Sequence, residues 1–152
     1  FRKITNAQTR VNIAGLIMQE LFNESKMEFK KRLLILEEAH NFAPEKGYGE
    51  VSSSKDNLSL TYAKKIASEG RKFKLGLIVI TQRPAQVSKY VLSQLNTQAM
   101  FRTINNSDID ALSTTIEYAG SETSALLPFL PTGNAIISGL GVPMPLLVQV
   151  ES

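Results

Sequence analysis

Apolar residues recur at helical spacing over residues 8–23, where Val11, Ala14, Ile17, Met18 and Leu21 fall on one stripe. That spacing predicts an amphipathic helix with one buried face. A basic link from Lys26 to Arg32 follows, and then the pattern changes. Residues 33–36 (LLIL) are continuously apolar and bounded by charge, which predicts a strand buried on both faces of a parallel sheet. Residues 44–57 are polar and rich in Gly and Ser, a loop longer than the usual connection of about 4–6 residues. A second helix is predicted over 58–70, stopped near Gly70. Residues 75–81 predict a second buried strand, 87–95 a short helix after Pro84, and 99–103 a third strand. Ser107 with Asp110 three residues later predicts a capping-box start for a helix over 108–116. Ser121 caps another short helix that ends before Pro128, and residues 134–138 and 145–150 read as a terminal hairpin around Gly139, Leu140 and Gly141. Strands and helices alternate in this order, so the expected fold is α/β with a mostly parallel sheet.

A chain of 152 residues fits one domain. Its hydrophobic content of 43% supports a sizeable core, and no apolar run approaches the ~20 residues of a membrane-spanning helix. The opening FRKITNAQTR has no apolar segment behind it and is not a signal peptide; it also lacks an initiator Met, as expected of a fragment or equally of a processed or trimmed chain. There is no Cys, which excludes disulfide frameworks and Cys-based zinc sites, and the single histidine, His40, leaves no His cluster for a metal. A cytoplasmic protein without membrane contact is the expectation. Charge is distributed unevenly. All 17 Lys and Arg lie at or before Arg102 against 9 acids, a net +8, whereas residues 103–152 carry 5 acids and no base, a net −5. The basic portion reads either as a Lys-rich solvated surface or as the footprint of a polyanion such as DNA or RNA.

Two acids, Glu37 and Glu38, stand at the carboxyl end of the first predicted strand. In open α/β sheets that end borders the ligand crevice. One reading is a solvated loop that begins with two glutamates. The other gives one carboxylate to Mg²⁺ through water and the other to an attacking water, the two roles that phosphoryl transfer needs. Residues 70–84 (GRKFKLGLIVITQRP) then place basic residues before a strand and Thr81-Gln82 after it. Gln82 is either a turn residue or a neutral amide that hydrogen-bonds a γ-phosphate or the attacking water. Arg71 is either a surface charge near a helix C-terminus or an arginine offered to a neighbouring subunit's transition state. His40 reads as a packed or surface-satisfied histidine, with positioning of Glu38 as the alternative.

The blocks LLILEEAHNFAP, EGRKFKLGLIVITQRP, VLSQLNTQAMFRTINNSD and PTGNAIISG stand in this order. Together they resemble the HerA helicases over about residues 10–150, and TQRP with its preceding basic segment is similar to the FtsK translocases. The resemblance implies the C-terminal half of a RecA-like P-loop NTPase core: flanking helices, a terminal β-hairpin, and ATP with Mg²⁺ as ligands. It implies that Glu37 is the Mg²⁺-associated Walker B acid and Glu38 the catalytic glutamate. Gln82 becomes the polar sensor and Arg71 the arginine finger. Arg102 becomes a second contact to nucleotide at a subunit boundary, with a salt bridge at a strand end as its alternative. It further implies an ATP-driven helicase or translocase, a homo-hexamer around double-stranded DNA, and, in archaea, partnership with a NurA-type nuclease in double-strand break repair. Ring motors contact DNA through basic or polar pore loops, and here the 44–57 loop offers Lys46, Tyr48 and Lys55. One departure stands out: no segment fits GxxxxGK[ST], so the phosphate-cradling half is expected upstream. A conjugation- or secretion-type ATPase of the same superfamily and a non-hydrolysing DNA-binding or assembly module are the alternative readings.

Overall fold

The computed structural model describes residues 4–48, 57–115 and 121–150, in two compact units that divide after Gln94. The first unit opens with α1 (Ala7–Glu28), capped by the Asn6 side chain, which accepts from the Thr9 N–H at 3.0 Å. Its buried stripe is Val11, Ala14, Gly15, Met18, Phe22 and Ser25, while Ile17 is exposed. The predicted stripe is thus rotated, and the reason lies at Gly15. A Cβ there would meet the Ser59 nitrogen at 2.8 Å and the Leu58 Cβ at 2.9 Å, so the glycine is what lets α1 lie against α2 (Leu58–Glu69). Phe22 then seats edge-on against Tyr62 and Phe73, with the Lys26 ammonium 4.5 Å from its ring centroid. Burying Phe22 and Met18 stabilises this seam by about 1.5–3 kcal/mol each.

β1 (Arg32–Leu36) pairs in parallel with β2 (Leu75–Val79), Arg32 opposite Leu75 through Leu36 opposite Val79. The Arg32 guanidinium bonds Glu28 at 2.6 Å, and this contact, with Lys30 beside it, holds the Glu28 carboxyl below its ordinary range. The helix end is thereby tied to the start of the strand. Gly70 ends α2 as expected, and the chain tightens into a 3-10 turn, Gly70–Phe73, before β2. Leu36 and Leu75 are buried on the face against which α2 packs. The opposite face is bare, which corrects the expectation of burial on both sides. Leu33, Ile35, Ile78 and Ile80 are 58%, 54%, 42% and 50% exposed, because no element among the described residues covers them. After β2 comes the short α3 (Lys89–Ser93).

The second unit is a three-stranded antiparallel sheet in which β4 (Asn134–Gly139) lies between β3 (Thr97–Phe101) and β5 (Leu146–Gln149). The terminal hairpin is present, and the third predicted strand joins it. The parallel part of the α/β fold is therefore the β1–β2 pair. Met100, Leu127, Leu130 and Ile136 form the core of this unit, with Leu112 packed against it. α4 (Asn106–Ser113) starts two residues earlier than expected because Asn105, not Ser107, supplies the cap, its side chain accepting from the Ser107 N–H. α5 (Ser121–Ala125) precedes Pro128.

Candidate functional site

Parallel pairing in register brings the carboxyl ends of β1 and β2 side by side. The ladder continues past both strands: the Ile80 N–H donates to the Leu36 carbonyl, and the Ala39 N–H donates to the Ile80 carbonyl. Glu37 and Glu38 form the turn between these two anchors, and Thr81 and Gln82 follow Ile80 directly. Glu37, Glu38 and Gln82 thus emerge at one end of the same sheet, all three exposed to solvent. Beyond the tips the two loops stay joined. The Ser88 N–H donates to the Ala43 carbonyl, Pro44 bridges Val87, and the Glu45 carboxylate accepts from the Lys89 N–H at 2.7 Å.

Glu38 adopts φ +51° and ψ +47°, a left-handed conformation that L-residues other than Gly, Asn and Asp rarely take. Such strain clusters at sites of function. Its Oε2 lies 3.4 Å from His40 Nδ1, and the same nitrogen lies 3.2 Å from Thr81 Oγ1. The Arg83 N–H donates to that hydroxyl at 3.0 Å. A polar link therefore runs from the glutamate to the residue preceding Gln82. Sequence reading placed His40 near Glu38 without placing Thr81. A lone histidine four residues beyond a strand carries no signal about what faces it across the sheet.

Arg71 lies in the 3-10 turn that precedes β2, at the amino end of the sheet. A five-residue strand, about 17 Å long, separates it from the glutamates of its own chain. Arg102 is exposed just past the end of β3 in the second unit. Lys46 and Tyr48 are exposed in the loop that follows Pro44, and Lys55 lies outside the described residues. Among the described residues no group of three or more His, Cys, Asp or Glu is placed to hold a metal ion. A dedicated all-protein cage is therefore not what Glu37 and Glu38 offer. Carboxylates at a strand tip instead suit Mg²⁺, which keeps several waters and shares its coordination with substrate phosphates. No helix among the described residues is long and apolar enough to cross a membrane.

No protein-family model matches the chain. It is 38% identical over 128 residues to a probable helicase of Methanocaldococcus jannaschii, covering 84% of this chain and 23% of that protein. It is 36% identical over 118 residues to the DNA double-strand break repair helicase HerA of Pyrococcus furiosus, covering 78% and 20%. With a probable HerA of Methanocaldococcus jannaschii it shares 32% identity over 145 residues, 95% of this chain and 26% of that one. The chain spans about a quarter of the length of these curated relatives. In structure it is similar to the genome packaging NTPase B204 of Sulfolobus turreted icosahedral virus 2 in complex with AMPPCP. The TM-score there is 0.69 at 18% identity, over 93% of this chain and 62% of that one. It is also similar to VirB4 of Thermoanaerobacter pseudethanolicus, with TM-score 0.69 at 15% identity, over 97% and 38%. At these identities the structural likeness is one of fold.

Proposed function

We propose that this chain, a homologue of the HerA-type helicases over most of its length, is the Walker B half of an ATP-driven DNA translocase or helicase. The phosphate-binding half would lie elsewhere in the same polypeptide. The observation that carries the reading is the convergence of Glu37, Glu38 and Gln82 on adjoining tips of an in-register parallel pair. Glu38 accepts the proton of the attacking water, a general-base role. Gln82 orients that water or the γ-phosphate with a neutral amide. Glu37 would hold Mg²⁺ through water, and that ion would supply neutralisation of the phosphate charge of ATP. Arg71 and Arg102 serve a neighbouring subunit's nucleotide. For Arg71 the separation from its own Glu38 along β2 supports a role in trans.

The full-length protein would act in the cytoplasm as a homo-hexamer on double-stranded DNA during double-strand break repair, with a NurA-type nuclease as partner. Names of the sequence relatives support the repair reading over the secretion-type one. The test is Glu38→Gln in the full-length protein. ATP turnover should fall by about 10²–10⁴-fold, while binding of a labelled ATP analogue weakens by no more than about 2-fold, since the change is isosteric and removes a negative charge near the phosphates. Unchanged turnover would remove Glu38 from catalysis and take this reading with it.

A further inference from the structure

The geometry points to His40 as a positioning residue that couples the two strand tips, holding the Glu38 carboxylate against Thr81 through a single shared ring nitrogen. This rests on the reading of Glu38 as the catalytic glutamate.

Three observations carry it. First, Glu38 is the one member of the turn in a left-handed conformation, so its carboxylate is delivered by strained backbone and needs side-chain support. Second, His40 is mostly buried, its side chain 14% exposed, whereas the Glu38 side chain is 48% exposed. The ring is the packed partner and the carboxylate the solvent-facing one. Third, Nδ1 alone faces both Glu38 Oε2 at 3.4 Å and Thr81 Oγ1 at 3.2 Å.

In this proposal Nδ1 carries a hydrogen, the form in which the ring can donate. A carboxylate only accepts, so attraction to Glu38 requires Nδ1 to carry hydrogen. Thr81 Oγ1 already accepts from the Arg83 N–H and keeps one lone pair for the same Nδ1–H. An N–H at this position stands between the Thr81 hydroxyl, at hydrogen-bond distance, and the Glu38 carboxylate, at ion-pair distance, so turning towards one draws it from the other. Because Thr81 adjoins Gln82, any shift of the β2 tip on nucleotide binding changes how firmly the ring holds Glu38. His40 therefore sets where the general base points without touching substrate.

The experiment uses steady-state ATP hydrolysis by the full-length protein, with His40→Ala, His40→Asn, Thr81→Val and Thr81→Ser. The Asn amide places an N–H where Nδ1 stands, and Ser keeps the hydroxyl. We expect His40→Ala and Thr81→Val each to lower kcat about 10-fold, as misplacement of a catalytic group does, with KM for ATP within about 2-fold. Asn and Ser should recover most of the loss, and the Ala/Val double variant should be no slower than the slower single, since both cut one link. An unchanged kcat in His40→Ala, or a multiplicative loss in the double variant, overturns the proposal. Should His40→Ala fail to fold, Thr81→Val, which removes one hydroxyl, carries the test: a kcat about 10-fold lower, recovered in Thr81→Ser, supports the proposal, and an unchanged kcat overturns it. Glu38→Gln in parallel separates the layers. Loss there with no effect at His40 sinks this inference alone, and no loss there sinks the reading beneath it.

Discussion

Ile80 holds Leu36 and Ala39 at once: its N–H donates to the Leu36 carbonyl at 2.9 Å and its carbonyl accepts from the Ala39 N–H at 3.0 Å. Glu37 and Glu38 span the gap between those two bonds. The acids cannot slide relative to Thr81 and Gln82 without breaking both, each worth about 0.5–1.5 kcal/mol net. A site that depends on two loop tips is in this way held to the geometry of a ladder.

The placement of Arg71 before β2 leads to a mixing prediction. Arg71→Ala in the full-length protein should abolish turnover on its own. In the proposed hexamer, mixed with Glu38→Gln subunits, an Arg71→Ala subunit would keep its glutamate and would receive Arg71 from its neighbour. At equal mixing about a quarter of the sites are complete, so ATPase activity should return to about a quarter of the wild-type rate. No recovery at any mixing ratio counts against the finger assignment.

Lys46 and Tyr48 are exposed in the loop beyond Pro44. If they track duplex DNA, Lys46→Ala should weaken binding and flatten the slope of log K against log salt by about 0.9, one phosphate contact. Tyr48→Ala should weaken binding with the slope unchanged. Fluorescence anisotropy over a salt series distinguishes the two, and wild-type curves for both variants would remove this loop from the DNA path.

Gly15→Ala tests the helix seam. Alanine favours a helix over glycine by about 1 kcal/mol, yet its Cβ would meet the Ser59 nitrogen at 2.8 Å. Forcing the helices apart should win, with a net loss of about 1–3 kcal/mol in urea unfolding. A more stable variant would show that the close approach is not maintained.

The bare sheet face makes opposite predictions in two contexts. In the isolated 152-residue chain, Ile35→Thr with Ile78→Thr should change unfolding free energy by no more than about 0.5 kcal/mol per site, because both side chains are already half exposed. Self-association measured by sedimentation should decrease. If another part of the full-length protein covers that face, the same pair should cost about 1–3 kcal/mol per site there. Equal effects in both would mean the face stays open.

Much of this was legible from residue order. The apolar runs at 33–36 and 75–81 gave β1 and β2, the second strand ending earlier, at Val79, and the polar pairs after them stand together at the strand tips, because strand ends in a parallel pair converge by construction. Three features were not legible. Continuous apolar strands predict two covered faces, and sequence cannot say whether the covering elements are nearby; here Leu33 and Ile35 lie open. Periodicity over α1 selected Ile17, whereas close packing at Gly15 turned the buried face towards Phe22. Local chemistry favoured Ser107 as a cap, while Asn105, with its extended backbone, took the position.

The left-handed backbone at Glu38 has a bearing on protein engineering. A directed-evolution campaign rewarding heat resistance alone would favour Gly or Asn at this position, either of which relieves about 1–2 kcal/mol of steric cost. Each such winner would survive the oven and have surrendered the proposed base, so library hits at this turn have to be scored for hydrolysis before being counted as improvements.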